Sequence, residues 1–148
     1  MYNVNTLWIS GLILILSLAF AIFWYYPRNS KMKVALAQIG VKEWQIEMAD
    51  TPTSRIRGLS YRDSLTPGKA MLFVFDEPDY YGIWMLGMKF PIDIVFINED
   101  MKVIDVFNNI KPETYPTSFR PSKKALYVLE MNAGEARDIK IGDVVNLR

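Results

Sequence analysis

Residues 82–97, GIWMLGMKFPIDIVFI, decide how this chain folds. Nearly all of their side chains are apolar, and Lys89 and Asp93 carry the only charges. Pro91 has no backbone N–H to donate to a sheet, so a strand is predicted to begin just after it. Residues 92–97 are then apolar on both faces, a pattern typical of a central strand covered on both sides. The stretch therefore predicts a sheet with this strand in its interior.

Asp93 is the exception in that strand, because an ionised carboxylate without a partner is costly in apolar surroundings. Lys89 is four residues earlier, but Pro91 prevents a regular helix there. Four residues of extended chain would separate the two charges by roughly 13 Å. A non-local arginine is the better partner, and we predict that Arg55 or Arg62 binds the Asp93 carboxylate through bidentate hydrogen bonds.

The flanking sequence predicts further short strands. Gly40 lies between two β-rich runs and indicates a hairpin, and Trp44, Ile46 and Met48 alternate as in a half-buried strand. Asp50 or Thr51 can cap a short helix with Pro52 in its first turn and Gly58 at its exit. The other predicted elements are a strand at 70–75, an acidic turn at 76–82, a strand at 102–110, an irregular loop at 111–124, a strand at 125–131, a short helical turn from Asn132 and a last strand at 144–147.

Together these elements predict an α+β, mainly β domain. We expect a strongly bent antiparallel sheet or small barrel with two short helices. A doubly wound parallel sheet is disfavoured, because no long amphipathic helix follows residue 26.

Cysteine and histidine are both absent from the chain. A cysteine nucleophile, a Ser-His-Asp triad, an imidazole base and a zinc site with His or Cys ligands are therefore excluded. Any chemistry would depend on carboxylates, Lys, Tyr, Ser or Thr, or on an oxygen-ligated cation. We predict no metal site and no cofactor.

The N-terminal part of the sequence predicts a membrane anchor. Residues 7–26 are twenty residues without a charge, about 30 Å long as a helix and able to span a bilayer. Aromatic residues at both ends suit the two membrane interfaces. A cleaved signal peptide and a buried core helix are the alternatives. The predicted organisation is a tail at 1–6, a transmembrane helix at 7–26, a juxtamembrane linker at 27–33 and the β-rich domain at 34–148.

The distribution of charged residues indicates which classes of partner the protein can bind. Arg28, Lys31 and Lys33 precede the predicted domain, whereas all 16 acidic residues follow residue 33. The domain therefore lacks the basic excess that nucleic-acid binding requires, and we predict no nucleic-acid partner. The three basic residues suit a juxtamembrane contact with the lipid bilayer.

Five blocks of sequence resemble a known family. DTPTSRIRGLSYRDSL, AMLFVF, WMLGMKFPIDIVFI, YVLEMNAG and KIGD occur in the order and spacing of domain-of-unknown-function family 192, an uncharacterised prokaryotic family, over roughly residues 41–145. The resemblance implies a compact, mainly β domain, often behind a signal peptide or membrane anchor, with no established reaction. The family usually has Trp-Met-Lys where this chain has Trp84-Met85-Leu86, and a glycine at Ala70. A catalytic role for that lysine would leave this chain inactive, or would require Lys89 to substitute.

The candidate ligand-binding residues are Arg55, Arg62, Trp84, Met85, Asp93 and Glu130. A pocket lined by them would bind a polar small ligand, whereas a buried Asp93–arginine pair would be purely structural. We predict no catalytic residue and a binding module for such a ligand or for an envelope protein. The alternatives are an enzyme with carboxylate or Lys chemistry, such as an Asp93–Glu130 pair, and a structural subunit of a membrane complex.

Two sequence features give opposite predictions for the side of the membrane on which the domain lies. The positive-inside rule places the domain in the cytoplasm, whereas the family resemblance suggests the outside. We predict a single-pass protein with an extracytoplasmic domain.

Overall fold

The computed structural model describes residues 34–148, which are built around a curled sheet. The strands are β1 (Val34–Ile39), β2 (Lys42–Ala49), β3 (Lys69–Asp79), β4 (Ile83–Trp84), β5 (Ile92–Ile97), β6 (Val103–Ile110), β7 (Ser118–Phe119), β8 (Ala125–Asn132) and β9 (Val145–Leu147). One α-helix, α1 (Pro52–Arg57), and one 3-10 turn (Pro112–Thr114) complete the elements of this part of the chain.

Seven strands form the main sheet in the order β6-β5-β8-β3-β2-β1-β9, and β4 pairs with β7 in a separate two-stranded ribbon. The main sheet curls into a half-barrel. A bridge between Lys102 and Val144 joins the chain just before β6 to the chain just before β9, so the two edges of the sheet meet at one end. This arrangement confirms the mainly β, bent-sheet prediction.

The hairpin and the helix start follow from local sequence. Ile39 pairs with Lys42, which leaves a two-residue turn whose Gly40 has a φ of 60°. In α1 the Thr51 side chain accepts a hydrogen bond from the backbone N–H of Ser54, and the Ser54 hydroxyl oxygen accepts one from the backbone N–H of Thr51. Gly58, with a φ of 49°, ends the helix. The predicted hairpin and cap are confirmed.

One strand pair contradicts the antiparallel prediction. β2 and β3 run parallel, with Ile46 opposite Ala70, and the connection between them contains α1. Such a pair needs a crossover rather than a tight turn, and the short α1 segment provides it. The sheet is therefore mixed, and the crossover carries α1 onto one face of it.

The strand β5 lies inside the sheet, and all of its residues are buried. Its alternate side chains enter two apolar cores, one on each face of the sheet. The first core includes Trp44, Ile46, Leu72, Val95 and Leu129. The second core includes Met71, Phe73, Ile94, Phe96 and Val128. The prediction of a central strand covered on both sides is confirmed.

Two local predictions were wrong. The acidic stretch from Asp76 to Asp79 is the end of β3, where the pairing with β8 shifts in register, rather than a turn. The segment after Asn132 forms consecutive hydrogen-bonded turns, such as Glu135 N–H to Asn132 carbonyl at 3.1 Å, instead of a second short helix. The α-helix of the described residues is thus α1 alone.

The predicted tail, transmembrane helix and linker at 1–33 lie outside the described residues. Within residues 34–148 no helix is long and apolar enough to cross a bilayer.

Candidate ligand-binding groove

An apolar groove of about 290 Å³ lies on the second-core side of the sheet, between the α1 crossover and the segment around β4. The residues that line it are Arg55, Ile56, Arg57, Gly58, Leu59, Ser60, Phe73, Phe75, Tyr81, Gly82, Ile83, Trp84, Leu86, Met88 and Glu130. Its volume is just below the usual range for small-molecule sites, about 300–1,000 Å³.

Two hydrogen bonds hold the walls of the groove together. The Ser60 hydroxyl donates to the Leu86 carbonyl at 2.7 Å, and the Tyr61 backbone N–H donates to the Gly87 carbonyl at 2.7 Å. Gly87 has a φ of 67°, and a Cβ at this position would lie 2.8 Å from the Tyr61 ring. Only glycine therefore allows this close approach.

Glu130, on β8, brings a carboxyl group into this apolar groove. The residue is 5% exposed, and its carboxyl accepts no hydrogen bond from residues 34–148, yet its oxygens are not sealed from solvent. Burial raises the pKa of Glu130 to about 8, although the Arg62 guanidinium acts in the opposite direction. At neutral pH the group is therefore mostly a neutral carboxylic acid.

A row of side chains across four strands surrounds this carboxyl. Met71 on β3 lies opposite Glu47 on β2 and opposite Glu130 on β8, and Glu130 lies opposite Ile94 on β5. Glu47 and Glu130 are thus two strands apart, about 10 Å between backbones. Arg62 binds Glu47 at 2.8 Å, so its charge is already partnered when it acts on Glu130.

Arg55 is held at the edge of the groove by several groups. Its Nη1 donates to the carbonyl oxygens of Asp50 at 3.1 Å and Val74 at 2.6 Å, and its Nη2 pairs with Asp76 at 3.2 Å. The guanidinium also lies 5.6 Å from the centre of the Phe75 ring. Arg55 is consequently fixed in place, with few donors left for a ligand.

Aromatic rings form much of the wall. Phe75 and Tyr81 stack with their centres 3.5 Å apart, and the Tyr81 hydroxyl donates to the Glu77 carbonyl at 2.6 Å. Trp84 is 53% exposed, with Tyr115 tilted against it at 6.0 Å. An exposed indole beside a groove is a common feature of binding surfaces.

The predicted partner of Asp93 was wrong. The carboxylate accepts three backbone N–H groups, from Asn109 at 2.7 Å and from Gly134 and Ala136 at 2.8 Å each. β6 has one residue more than β5 at this point, and Asn109, with a φ of 54°, belongs to the resulting bulge. Asp93 therefore ties the bulge and the turn after β8 to the central strand, and it does not need an arginine.

The six candidate residues separate into three groups. Arg55, Trp84 and Glu130 line the groove, and Arg62 lies close enough to Glu130 to act on its pKa. Met85 is 1% exposed and belongs to the second core. Asp93 pairs with Met131 of the first core, whereas Glu130 pairs with Ile94 of the second. The two carboxyls therefore lie on opposite faces of the sheet and cannot form a catalytic pair.

Lys89 is also separate from Asp93, since its ammonium pairs with Asp63 at 2.7 Å on the surface. Sequence reasoning missed Glu47 and the wall residues Phe73 and Phe75. The signal for the two phenylalanines was the alternation of side chains along β3, which places Met71, Phe73 and Phe75 on one face.

A model of an uncharacterised family, described as Uncharacterized ACR and designated DUF192, matches residues 34–147. The chain belongs to the DUF192 family. The matched residues include every strand of the described domain. They also include Trp84-Met85-Leu86, where this chain differs from the usual Trp-Met-Lys of the family. Leu86, in the position where the family resemblance implies a lysine, lines the groove, so this DUF192 domain has an apolar side chain there.

Two solved structures are similar to this DUF192 domain. A protein of unknown function from Novosphingobium aromaticivorans DSM 12444 shares 29% identity, with a TM-score of 0.74, over 82% of this chain and 89% of the other. A protein from Sinorhizobium meliloti 1021, provisionally assigned as a transcription regulator, shares 25% identity, with a TM-score of 0.75, over 81% of this chain and 98% of the other. A comparison with curated proteins gives no significant match.

Proposed function

We propose that residues 34–148 form a binding module without catalysis, and that the groove holds a small ligand with an apolar body and a polar head. The observation that carries this proposal is Glu130, a buried carboxyl without a hydrogen-bond partner in residues 34–148 that faces an open apolar groove. Its oxygens keep some contact with solvent, and a ligand head group would replace that water with a direct hydrogen-bond partner.

The test is a chemical-shift titration of the full chain, in mild detergent, with small amphiphilic compounds. We expect binding to shift the backbone amides of Leu59, Gly82 and Glu130. Ile56 and Val41 provide a matched pair of variants, because both side chains are highly exposed but only Ile56 lines the groove. Ile56→Ala should weaken binding about fivefold, the loss of roughly 1 kcal/mol of apolar contact, whereas Val41→Ala should leave it unchanged. Equal effects of the two variants, or shifts confined to other surfaces, would contradict the proposal.

A second candidate function is acid–base catalysis by Glu130. A carboxyl group with a pKa of about 8 lies in the range that suits proton transfer at neutral pH. Turnover of a groove-bound compound that Glu130→Gln abolishes would favour the enzyme over the binding module.

We further propose that residues 7–26 anchor the module to a lipid bilayer with the domain outside the cytoplasm. The uncharged run and its aromatic ends support the anchor, and the resemblance to a family with such anchors supports the outer location. Protease digestion of intact cells tests both. Release of the β-rich domain is expected, and full protection until lysis would refute the outer location.

The partner predicted from sequence, a ligand or an envelope protein, stays a proposal. The regulator assignment of the Sinorhizobium meliloti protein is compatible with a module that senses a small ligand. Direct contact of residues 34–148 with nucleic acid is not favoured, because this region carries no basic excess.

A further inference from the structure

Glu130 is the buried ionisable side chain of the groove, and it has no hydrogen-bond partner among residues 34–148. Arg55 is held by Asp76 and two backbone carbonyls, and Arg62 is held by Glu47. Arg57 also has no side-chain partner in this part of the chain, but it is exposed on α1 at the rim of the groove. The free group in the buried part of the groove is therefore an acid.

The surroundings of Glu130 suit a positive partner. The Phe75 ring already contacts the Arg55 guanidinium and the Tyr81 ring. Phe73 is buried, so the half-exposed Trp84 offers a ring face to a ligand in this groove. Aromatic faces attract organic cations, and a buried carboxylate gains most from a charged hydrogen-bond donor.

We infer that the groove binds a small organic cation, an apolar body carrying a primary ammonium group that donates to the Glu130 carboxylate. This inference rests on the proposed function of the groove as a ligand site. The apolar walls take the body of the ligand, and the volume of about 290 Å³ limits it to a small molecule.

Binding of this kind is linked to one proton. Glu130 is mostly a neutral acid at pH 7, so it must release its proton to solvent when the ammonium group binds. The ammonium group keeps its three protons. About 0.9 proton should leave per ligand bound at pH 7. The charge that acts on Glu130 is Arg62, from the loop after α1, whose partner is Glu47 of β2, and Arg55 and Arg57 of α1 lie in the same groove lining.

The pH dependence has a definite sign. Below the pKa of Glu130 the ionised form becomes scarcer by about tenfold per pH unit, so affinity for a cation should rise about fiftyfold from pH 6 to pH 8. Alkylammonium groups titrate near the lysine value of about 10.4 and stay charged over this range. A neutral ligand that accepts a hydrogen bond from the protonated acid would instead lose affinity above pH 8.

The experiment is calorimetry on the full chain in mild detergent, with empty micelles as the blank. The probes are 2-phenylethylamine, 2-phenylethanol and 3-phenylpropionate, which carry a cationic, a neutral and an anionic head on similar bodies. Titrations in two buffers of different ionisation enthalpy measure the proton released. The amine should bind at least about tenfold more tightly than the alcohol at pH 8.

Three variants make the result specific. Glu130→Gln should abolish the preference for the amine and the proton release, while the exposed Glu99→Gln should preserve both. Arg57→Gln should strengthen amine binding slightly, since it removes a like charge from the lining. Thermal unfolding of each variant shows whether it is folded.

The outcomes separate the inference from the proposed function. Tighter binding of the alcohol or the carboxylate would overturn the inference that the ligand is a cation. Amine binding that Glu130→Gln leaves unchanged would do the same, and in both cases the groove remains a ligand site. No binding of any probe, with the amides of Leu59, Gly82 and Glu130 unmoved, would overturn both.

Discussion

Glu130 shows how one side chain can be both costly and useful. An unpartnered carboxyl inside a protein destabilises the folded state once it ionises, and the fold keeps this one neutral by raising its pKa to about 8. A neutral acid at the edge of solvent can recover its charge when a suitable partner binds. The cost in stability therefore accompanies the binding role proposed above.

The first prediction concerns stability and pH. Because the pKa of Glu130 is raised from 4.5 to about 8, the folded state holds a proton that the unfolded state has lost over this interval. Stability should therefore fall as pH rises from about 4.5 to about 8, by about 1.4 kcal/mol per pH unit in mid-range, and level off above it.

Urea denaturation of the wild type and Glu130→Gln at several pH values measures this slope. The variant should lack most of it and should be the more stable protein at pH 8. The absence of histidine and cysteine leaves few other groups that titrate here, and the terminal amine, near 7.7–8.0, is common to both proteins. Parallel pH profiles for the two proteins would show that Glu130 is not the titrating group.

The second prediction concerns Asp93, whose three backbone donors require three acceptor positions. Asn has one oxygen and one NH₂ group, so in Asp93→Asn at least one of these N–H groups would face another donor. We expect a loss of about 2–4 kcal/mol of unfolding free energy, measured by chemical denaturation. Asp100→Asn, in an exposed turn, is the control, and a similar small effect of both variants would refute this account of Asp93.

At the scale of elements, the two loops that form the groove walls meet where Gly87 contacts Tyr61. The third prediction compares Gly87→Ala with Gly68→Ala. Both glycines have positive φ, but a Cβ at Gly68 meets nothing within 4 Å, whereas one at Gly87 would lie 2.8 Å from the Tyr61 ring. Gly68→Ala should cost about 1 kcal/mol, and Gly87→Ala about 1–3 kcal/mol more.

Thermal unfolding of both variants, and of Gly87→Ala combined with Tyr61→Ser, measures the part due to the contact. Removing the Tyr61 ring should recover most of the excess cost of Gly87→Ala. If the double variant is no more stable than Gly87→Ala, the close approach does not hold these loops together.

The elements themselves were largely predictable from sequence. Gly40 and Thr51-Pro52 mark a turn and a cap through local chemistry, and the apolar run after Pro91 marks the buried strand. The parallel pairing of β2 and β3 was missed although its signal was present, because the predicted short helix lies between the two strands and a helix is the usual crossover of a parallel pair. The end of β3 was missed because its acidic residues resemble those of a turn.

The site was predictable only in part. Arg55, Trp84 and Glu130 were identified as candidates, but the partner of Asp93 was wrong. Sequence reasoning sought a charged partner for a buried charge, whereas the fold supplied backbone N–H groups from a bulge and a turn. Such donors have no signature in the side chains, and they become visible only when strand register is known.

At the scale of the whole domain, the sheet depends on its last strand. β9 pairs with β1 alone among the strands, and Val145 is 2% exposed. Without β9, β1 would become an uncovered edge open to pairing with another chain.

The fourth prediction is that a chain ending at Val144 loses about 2–4 kcal/mol of stability and associates at higher concentration. Denaturation and size-exclusion chromatography measure the two effects. Leu147→Ser, which keeps the strand and changes a partly exposed side chain, should have little effect on either. A truncated chain as stable and monomeric as the full one would show that β9 is dispensable.

The pairing of β1 with β9 also sets when the domain can be finished in the cell. Leu36 and Arg148 exchange both backbone hydrogen bonds at 2.8 Å, so the first and last strands of the domain lie side by side. During synthesis β1 leaves the ribosome before β9 does. The β1 edge therefore stays unpaired until β9 emerges, and during this interval the nascent domain is most open to pairing with another chain.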